Sequence, residues 1–164
     1  NTGRVIKVSY ADSSAYGRTS ISGTSGGGES NQVVLWTALT HNKVSSTSHL
    51  RCQMHLTGHG KYSYPYYGTG VRADYSGGHY TTFHASNYSI GAYIGDGQVL
   101  WLIDYTFTPT NLANNTGNIT FKALYRSVGG GGDKPFRIWN PNNSDDNRGY
   151  QKQSVCIVTE FLPT

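Results

Sequence analysis

The chain has 164 residues, enough for one domain with a continuous core. It carries 21 Gly and 13 Tyr but only one Met, and 13% of its residues are charged against about a quarter in an ordinary domain. The net charge of +4 is spread thinly with no run of Lys or Arg, which argues against a nucleic-acid binder. No stretch approaches the roughly 18 consecutive apolar residues of a membrane-spanning helix. Tyr, Thr and Val suit a pleated, half-buried surface, while Gly, Asn and Ser suit the turns between strands. The expectation is an all-β domain with long polar loops. The first residues lack a basic region followed by an apolar one, so the chain is expected to be an exported protein after signal removal, or a fragment.

In chain order, "RVIKVSYA" (4–11) reads as the opening strand. The Ser- and Gly-rich stretch 12–31 reads as a long loop holding at most one short edge strand. "QVVLWTALT" (32–40) reads as a buried central strand. "HLRCQMHLT" (49–57) alternates, which places Leu50, Cys52, Met54 and Leu56 on one face. Glycines and Pro65 mark 58–70 as loop or edge. Residues 71–75 and 79–85 form a hairpin turned at Ser76-Gly77-Gly78. A second hairpin joins 88–94 to 98–108 at Gly95-Asp96-Gly97. Turn residues fill 109–118, with room for one helical turn. Strands at 119–128, 135–139 and 153–163 complete the pattern. Roughly nine or ten short strands at this spacing predict a sandwich or barrel. No fixed-period repeat appears, so propellers and solenoids are not expected. The Pro163-Thr164 ending resembles the start of an interdomain linker.

Two cysteines, Cys52 and Cys156, allow one intramolecular bridge or two buried thiols. A bridge suits an exported β-domain and would close a loop of about 100 residues, worth about 4.7 kcal/mol in the loop-closure picture. The low Lys and Glu content favours export as well.

Catalysis finds little support. A glycosidase needs two carboxyl groups facing one bond. Of the nine acids most fall in turns, and Asp96 with Asp104 is the one pair to nominate. No nucleophile elbow or catalytic cysteine signature occurs. All six histidines lie between residues 41 and 84, yet they do not show the converging spacing of a metal site. They are read as surface or hydrogen-bonding groups, and no metal or cofactor is expected.

Sugar recognition asks for aromatic plates, fixed planar donors and acceptors, and glycines that let backbone approach. "HASNYSIGAYIGDGQ" offers His84, Asn87, Tyr88, Ser89, Asp96 and Gln98. "IWNPNNSDDNRGY" offers Trp139, Asn140, Asn142, Asn143 and Arg148. Both stretches are also ordinary turn chemistry. The first is preferred, because one short strand would bring two loops side by side. Trp36 and Trp101, inside apolar strands, are expected in the core. The glycines 129–132 do not form a phosphate loop, since no Lys-Ser/Thr follows. They read as a loop with Arg126, Lys134 and Arg137 at its base, three cations able to meet lipid headgroups or simply water.

The long runs "LRCQMHLTGHGKYSYPYYGTGVRADYSGGHYTTFHASNYSIGAYIGDG" and "KPFRIWNPNNSDDNRGYQKQSVCIVTEFLPT", with the opening "NTGRVIKVSYADSSAYGRTS", resemble the N-terminal lectin domain of two-domain fimbrial tip adhesins. Those adhesins belong to chaperone–usher fimbriae of enterobacteria, and the resemblance runs over all 164 residues. It implies an immunoglobulin-like β-sandwich exported through the periplasm to the fimbrial tip on the cell surface. It also implies binding to histo-blood-group A/B determinants on host glycosphingolipids, with membrane contact beside the sugar. A C-terminal pilin domain and further fimbrial subunits would be its partners. The family shares fold more than motif, so the site residues above rest on chemistry alone. A small secreted glycoside hydrolase and a structural pilin-like interaction module are the alternatives.

Overall fold

A computed structural model describes residues 3–12, 19–23, 33–60, 67–83, 91–94, 98–127, 134–138 and 154–163. These residues form strands β1 (Arg4–Asp12), β2 (Thr19–Gly23), β3 (Val33–Lys43), β4 (His49–Gly60), β5 (Tyr67–Tyr75) and β6 (Gly78–Phe83). They continue with β7 (Gly91–Ile94), β8 (Gln98–Phe107), β9 (Gly117–Ser127), β10 (Lys134–Ile138) and β11 (Val155–Leu162). One 3-10 turn, Thr110–Leu112, sits between β8 and β9. The domain is an all-β, immunoglobulin-like sandwich of two antiparallel sheets, as expected.

The larger sheet is organised around β4. Along one side β4 pairs with β8 from Leu50 to His59, and β8 in turn pairs with β7. Along the other side it pairs first with β11 (His49–His55) and then with β10 (Gly58–Gly60). β1 closes the β11 side and β2 the β10 side. The smaller sheet runs β3-β9-β5-β6.

Alternation puts the core where the sequence places it. Leu50, Cys52, Met54 and Leu56 are buried on the inner face of β4, with Ile103 and Phe107 beside them from β8. Val71, Ala73, Phe121 and Ala123 face them from the smaller sheet. An aromatic cluster ties the sheets together. Phe107 meets Phe121 edge-on at 5.4 Å, Tyr105 at 4.8 Å and Tyr80 at 6.0 Å. The Tyr80 and Tyr105 hydroxyls are 3.2 Å apart. Burial first, and then Tyr80, push the Tyr105 hydroxyl up to about 12.

Two expectations are corrected. β3 is an edge strand of the smaller sheet rather than a central one. Its consecutive Leu35 and Trp36 are both buried because a bulge between Val34 and Trp36 breaks the alternation. Where loop or edge was expected, residues 58–60 are strand because β4 runs on far enough to take β10 as a second neighbour, and 67–70 are strand because they pair with the end of β9. Gly70 suits this pairing: a Cβ there would lie 2.5 Å from the Thr82 carbonyl oxygen. The Ser76-Gly77 hairpin forms as predicted, with Tyr75 opposite Gly78 and Gly77 at φ 87. Pairing of Ile94 with Gln98 likewise realises the second hairpin.

Candidate functional site

Four crossings link the sheets at one end of the sandwich. In the larger sheet Gly23 lies opposite Lys134, Gly60 opposite Phe136, and Gln98 opposite His59. In the smaller sheet Tyr67 lies opposite Ser127, Val33 opposite Tyr125, and Phe83 opposite Gly70. These are the strand ends that flank segments 24–32, 61–66, 84–90 and 128–133. The β7–β8 hairpin adds its own tip between Ile94 and Gln98 at the same end.

This end collects the flanks of the predicted sites. His84, Asn87, Tyr88, Ser89 and Asp96 lie outside the described residues. Gln98 is the first residue of β8, its backbone between Ile94 and His59. Arg126 in β9 lies opposite Gly68, Lys134 in β10 opposite Gly23, and Arg137 opposite Ser20 and His59. Arg126 is therefore in the smaller sheet and Lys134 and Arg137 in the larger, on either side of one crossing. Trp139, Asn140, Asn142, Asn143 and Arg148 also lie outside the described residues. Their flanks, Ile138 and Val155, rest against the same side of β4, opposite Gly58 and His55.

Cys52 and Cys156 come together, both fully buried, with Sγ atoms 3.9 Å apart. Cys52 pairs with Val158 and Cys156 with Met54, so the cysteines are diagonal neighbours on the inner face. They stand as two thiols: the bridge expected from the sequence is not closed here, the separation exceeding the ~2.05 Å of an S–S bond. Burial, then the neighbouring thiol, pushes Cys52 well above its ordinary value. Because both side chains are fully buried, the two thiols should resist alkylation in the folded protein at neutral pH and react rapidly after denaturation. Intact mass of the denatured, alkylated chain checks this, and an unalkylated mass lower by two hydrogens would report a closed bridge.

The opposite end of the sandwich holds a buried polar network that sequence reasoning missed. Glu160 of β11 is fully buried and accepts from Ser48 Oγ at 2.5 Å. It also accepts from the Val44 and Ser45 amides at 3.1 Å. His41 Nε2 lies 3.1 Å from the same carboxylate. A carboxylate only accepts, so Nε2 carries the proton and Nδ1 is left to accept from Ser9 Oγ at 2.9 Å. Lys43 Nζ donates to the Ser45 carbonyl. Burial alone would raise Glu160, but the donors from Ser48, His41, Ser45 and Val44 outweigh it and hold the carboxyl below its usual range. Burial lowers His41, with the Glu160 hydrogen bond opposing. Glu160 thus clamps the 44–48 connection onto β11. The signal was in the alternation: Cys156, Val158 and Glu160 share one inward parity, so the acid follows two core residues.

A second cluster lies on the outer face of the larger sheet. Arg51 Nε donates to Asp104 Oδ1 at 2.8 Å, Arg51 Nη2 to Oδ2 at 2.5 Å, and Gln53 Nε2 to Oδ2 at 3.2 Å. Asp104 is thus a surface carboxylate engaged by two neighbours. On the smaller sheet, Asp74 is bonded by Arg72 at 2.5 Å and Lys122 at 2.6 Å, and Thr40–Thr120 and Asn42–Asn118 pair across strands. Among the described residues no group of three metal-ligating side chains converges.

The sandwich defines the chain as an all-β domain, and comparison with known proteins adds only the fold. No family model matches the chain, and no curated protein matches it. It is similar to the infectious bursal disease virus Gt strain structure, with 13% identity over 98% of this chain and 38% of that one, at a TM-score of 0.53. The Gx strain structure (14% identity, 96% of this chain, 37% of that chain, TM-score 0.49) is also similar. So is the VP2 subviral particle of that virus (14%, 96%, 38%, TM-score 0.46). The chain spans less than two-fifths of the length of these structures.

Proposed function

We propose that the domain is a non-catalytic attachment module that binds host cell-surface glycans, an adhesin lectin domain displayed at a fimbrial tip. Histo-blood-group A/B determinants on intestinal glycosphingolipids are the ligand class, following the sequence resemblance. The observation that carries the reading is the gathering of strand ends at one end of the sandwich. The segments springing from those ends hold Tyr88, Asn87, Ser89 and Asp96, and Gln98 begins the adjoining strand. Loops of that composition on a rigid β-frame supply aromatic area and adaptable hydrogen bonding at low entropic cost. Arg126, Lys134 and Arg137 flank a crossing at the same end, which suits contact with anionic headgroups beside a membrane-borne sugar. In this reading a pilin domain and fimbrial subunits complete the natural assembly.

A glycan array with the purified domain tests the proposal. Saturable binding to blood-group structures without release of free sugar is expected, and no hit among them would overturn it. Asp96→Ala and Tyr88→Ala should each weaken binding about tenfold or more while leaving Tm nearly unchanged. Sugar release would favour the hydrolase alternative, although Asp104 lies six extended residues beyond Gln98 on the outer face and so does not pair with Asp96 across one bond.

A further inference from the structure

The two outer sheet faces differ in what they present. On the smaller sheet, Thr40–Thr120, Asn42–Asn118 and the Arg72–Asp74–Lys122 cluster satisfy one another. On the larger sheet, Val5, Val8, Tyr10 and Leu102 stand more than half exposed, Tyr10 at 60%. The smaller sheet exposes Val34 at 40%, so large apolar groups left in water are concentrated on the larger sheet, a mark of a binding surface.

We propose that the outer face of the larger sheet is a second saccharide platform, distinct from the loop end; the inference rests on the glycan-binding reading. The register sets the platform's layout. Tyr10 lies opposite Ile157, Ile157 opposite Gln53, and Gln53 opposite Asp104, so one row crosses four strands. Three strand spacings make that row about 14 Å long, the reach of a short oligosaccharide. The half on β1 and β11 is apolar. Tyr10 projects outward because its neighbour Ser9 is turned inward to His41. Phe161, stacked on His49 at 5.6 Å, supplies a second aromatic group on the same face. The half on β4 and β8 carries Arg51, Gln53 and Asp104 on paired strands rather than loops, with Leu102 exposed beside them.

The chemistry selects the occupant. The Arg51–Asp104 fork cancels its own charge, so this pair adds no strong preference for an anion or a cation. Arg51 uses two N–H groups on the carboxylate, and the planar fork leaves further donors directed to solvent. Arg51 and Asp104 remain 49% and 35% exposed, within reach of a ligand. Fixed neutral-pair hydrogen bonding beside an exposed aromatic and aliphatic strip matches a neutral sugar, with hydroxyls on one edge and a C–H face. A shallow open face of this kind fits a chain end or an internal stretch of an oligosaccharide.

Amide chemical-shift mapping with the blood-group A tetrasaccharide, followed by affinity measurements on variants, tests the platform. Shifts are expected on β1, β11, β4 and β8, and Arg51→Ala and Tyr10→Ser should each weaken this binding about tenfold or more. Both positions are exposed, so melting temperatures should hold close to wild type. If the wild type binds and all shifts fall between residues 84 and 98, with both variants unaffected, the platform is overturned and the lectin reading survives. Absence of any glycan binding overturns both. If the wild type self-associates and Tyr10→Ser is monomeric with unchanged sugar affinity, the face belongs to a second copy of the chain.

Discussion

Replacing Glu160 with alanine is expected to lower the stability of the domain by about 3–5 kcal/mol, the range for emptying one side of a buried, hydrogen-bonded charge site. The carboxylate is fully buried and serves Ser48, Val44, Ser45 and His41 at once. Alanine would leave those donors dry and unpaired, each costing about 1–3 kcal/mol before relaxation and water entry reduce the sum. Glu160→Gln should cost less, since its amide keeps one accepting oxygen. Denaturant titration at pH 7 checks both, with a shifted midpoint and an unchanged m-value. A loss below about 1 kcal/mol for the alanine variant would mean the network does not anchor the 44–48 connection.

The same network predicts how acid acts. The carboxyl of Glu160 is held below its ordinary 4.5, so its contribution is complete above that pH and is lost as pH falls through the lower folded value. His41 is held below its ordinary 6.5, so the unfolded chain takes up the proton first and stability starts to decline below that pH. Both effects have one sign: the wild type should lose stability on acidification, in an upper stage from His41 and a lower one from Glu160. Stability measured against pH for the wild type and Glu160→Gln should differ chiefly in the lower stage.

Phe107→Ala is expected to cost about 3–5 kcal/mol as well, for a different reason. Its ring is fully buried and touches Tyr80, Tyr105 and Phe121, so it is a pin between the two sheets. Truncation opens a cavity where the surrounding rings come from different strands and cannot close in freely. For a domain of this size Tm should fall by roughly 6–20 °C. Tyr105→Phe keeps the ring and removes only the hydroxyl contact with Tyr80, so about 1 kcal/mol is expected. Thermal unfolding of the two variants separates packing from hydrogen bonding. Equal losses would refute that division.

These predictions use residues that differ in how far the sequence reveals them. Leu50, Cys52, Met54 and Leu56 were readable directly, because strict alternation on a strand leaves one face to bury. Val33–Lys43 was readable as a strand but not as an edge, since an edge differs from a centre only in having one partner. The loop end was partly readable: glycines and asparagines mark where turns fall. That four crossings meet at one end comes from pairing register, which local composition does not encode. Glu160 and Asp104 illustrate the limit. Each is an acid in an apolar strand, yet one is sealed among donors at the sandwich end and the other sits in an ion pair on the surface.

What the sequence by itself determined is the pattern of extended, alternating segments punctuated by turns, and with it the all-β class and most of the core. Those properties follow from neighbours along the chain, through side-chain period and backbone preference. Only the tertiary structure decided which strands share β4, which ends of the two sheets coincide, and which outer face is left with exposed Tyr10 beside the Arg51–Asp104 fork. Those depend on pairings between residues as distant as Ser9 and Val158, whose energy appears only when the strands meet.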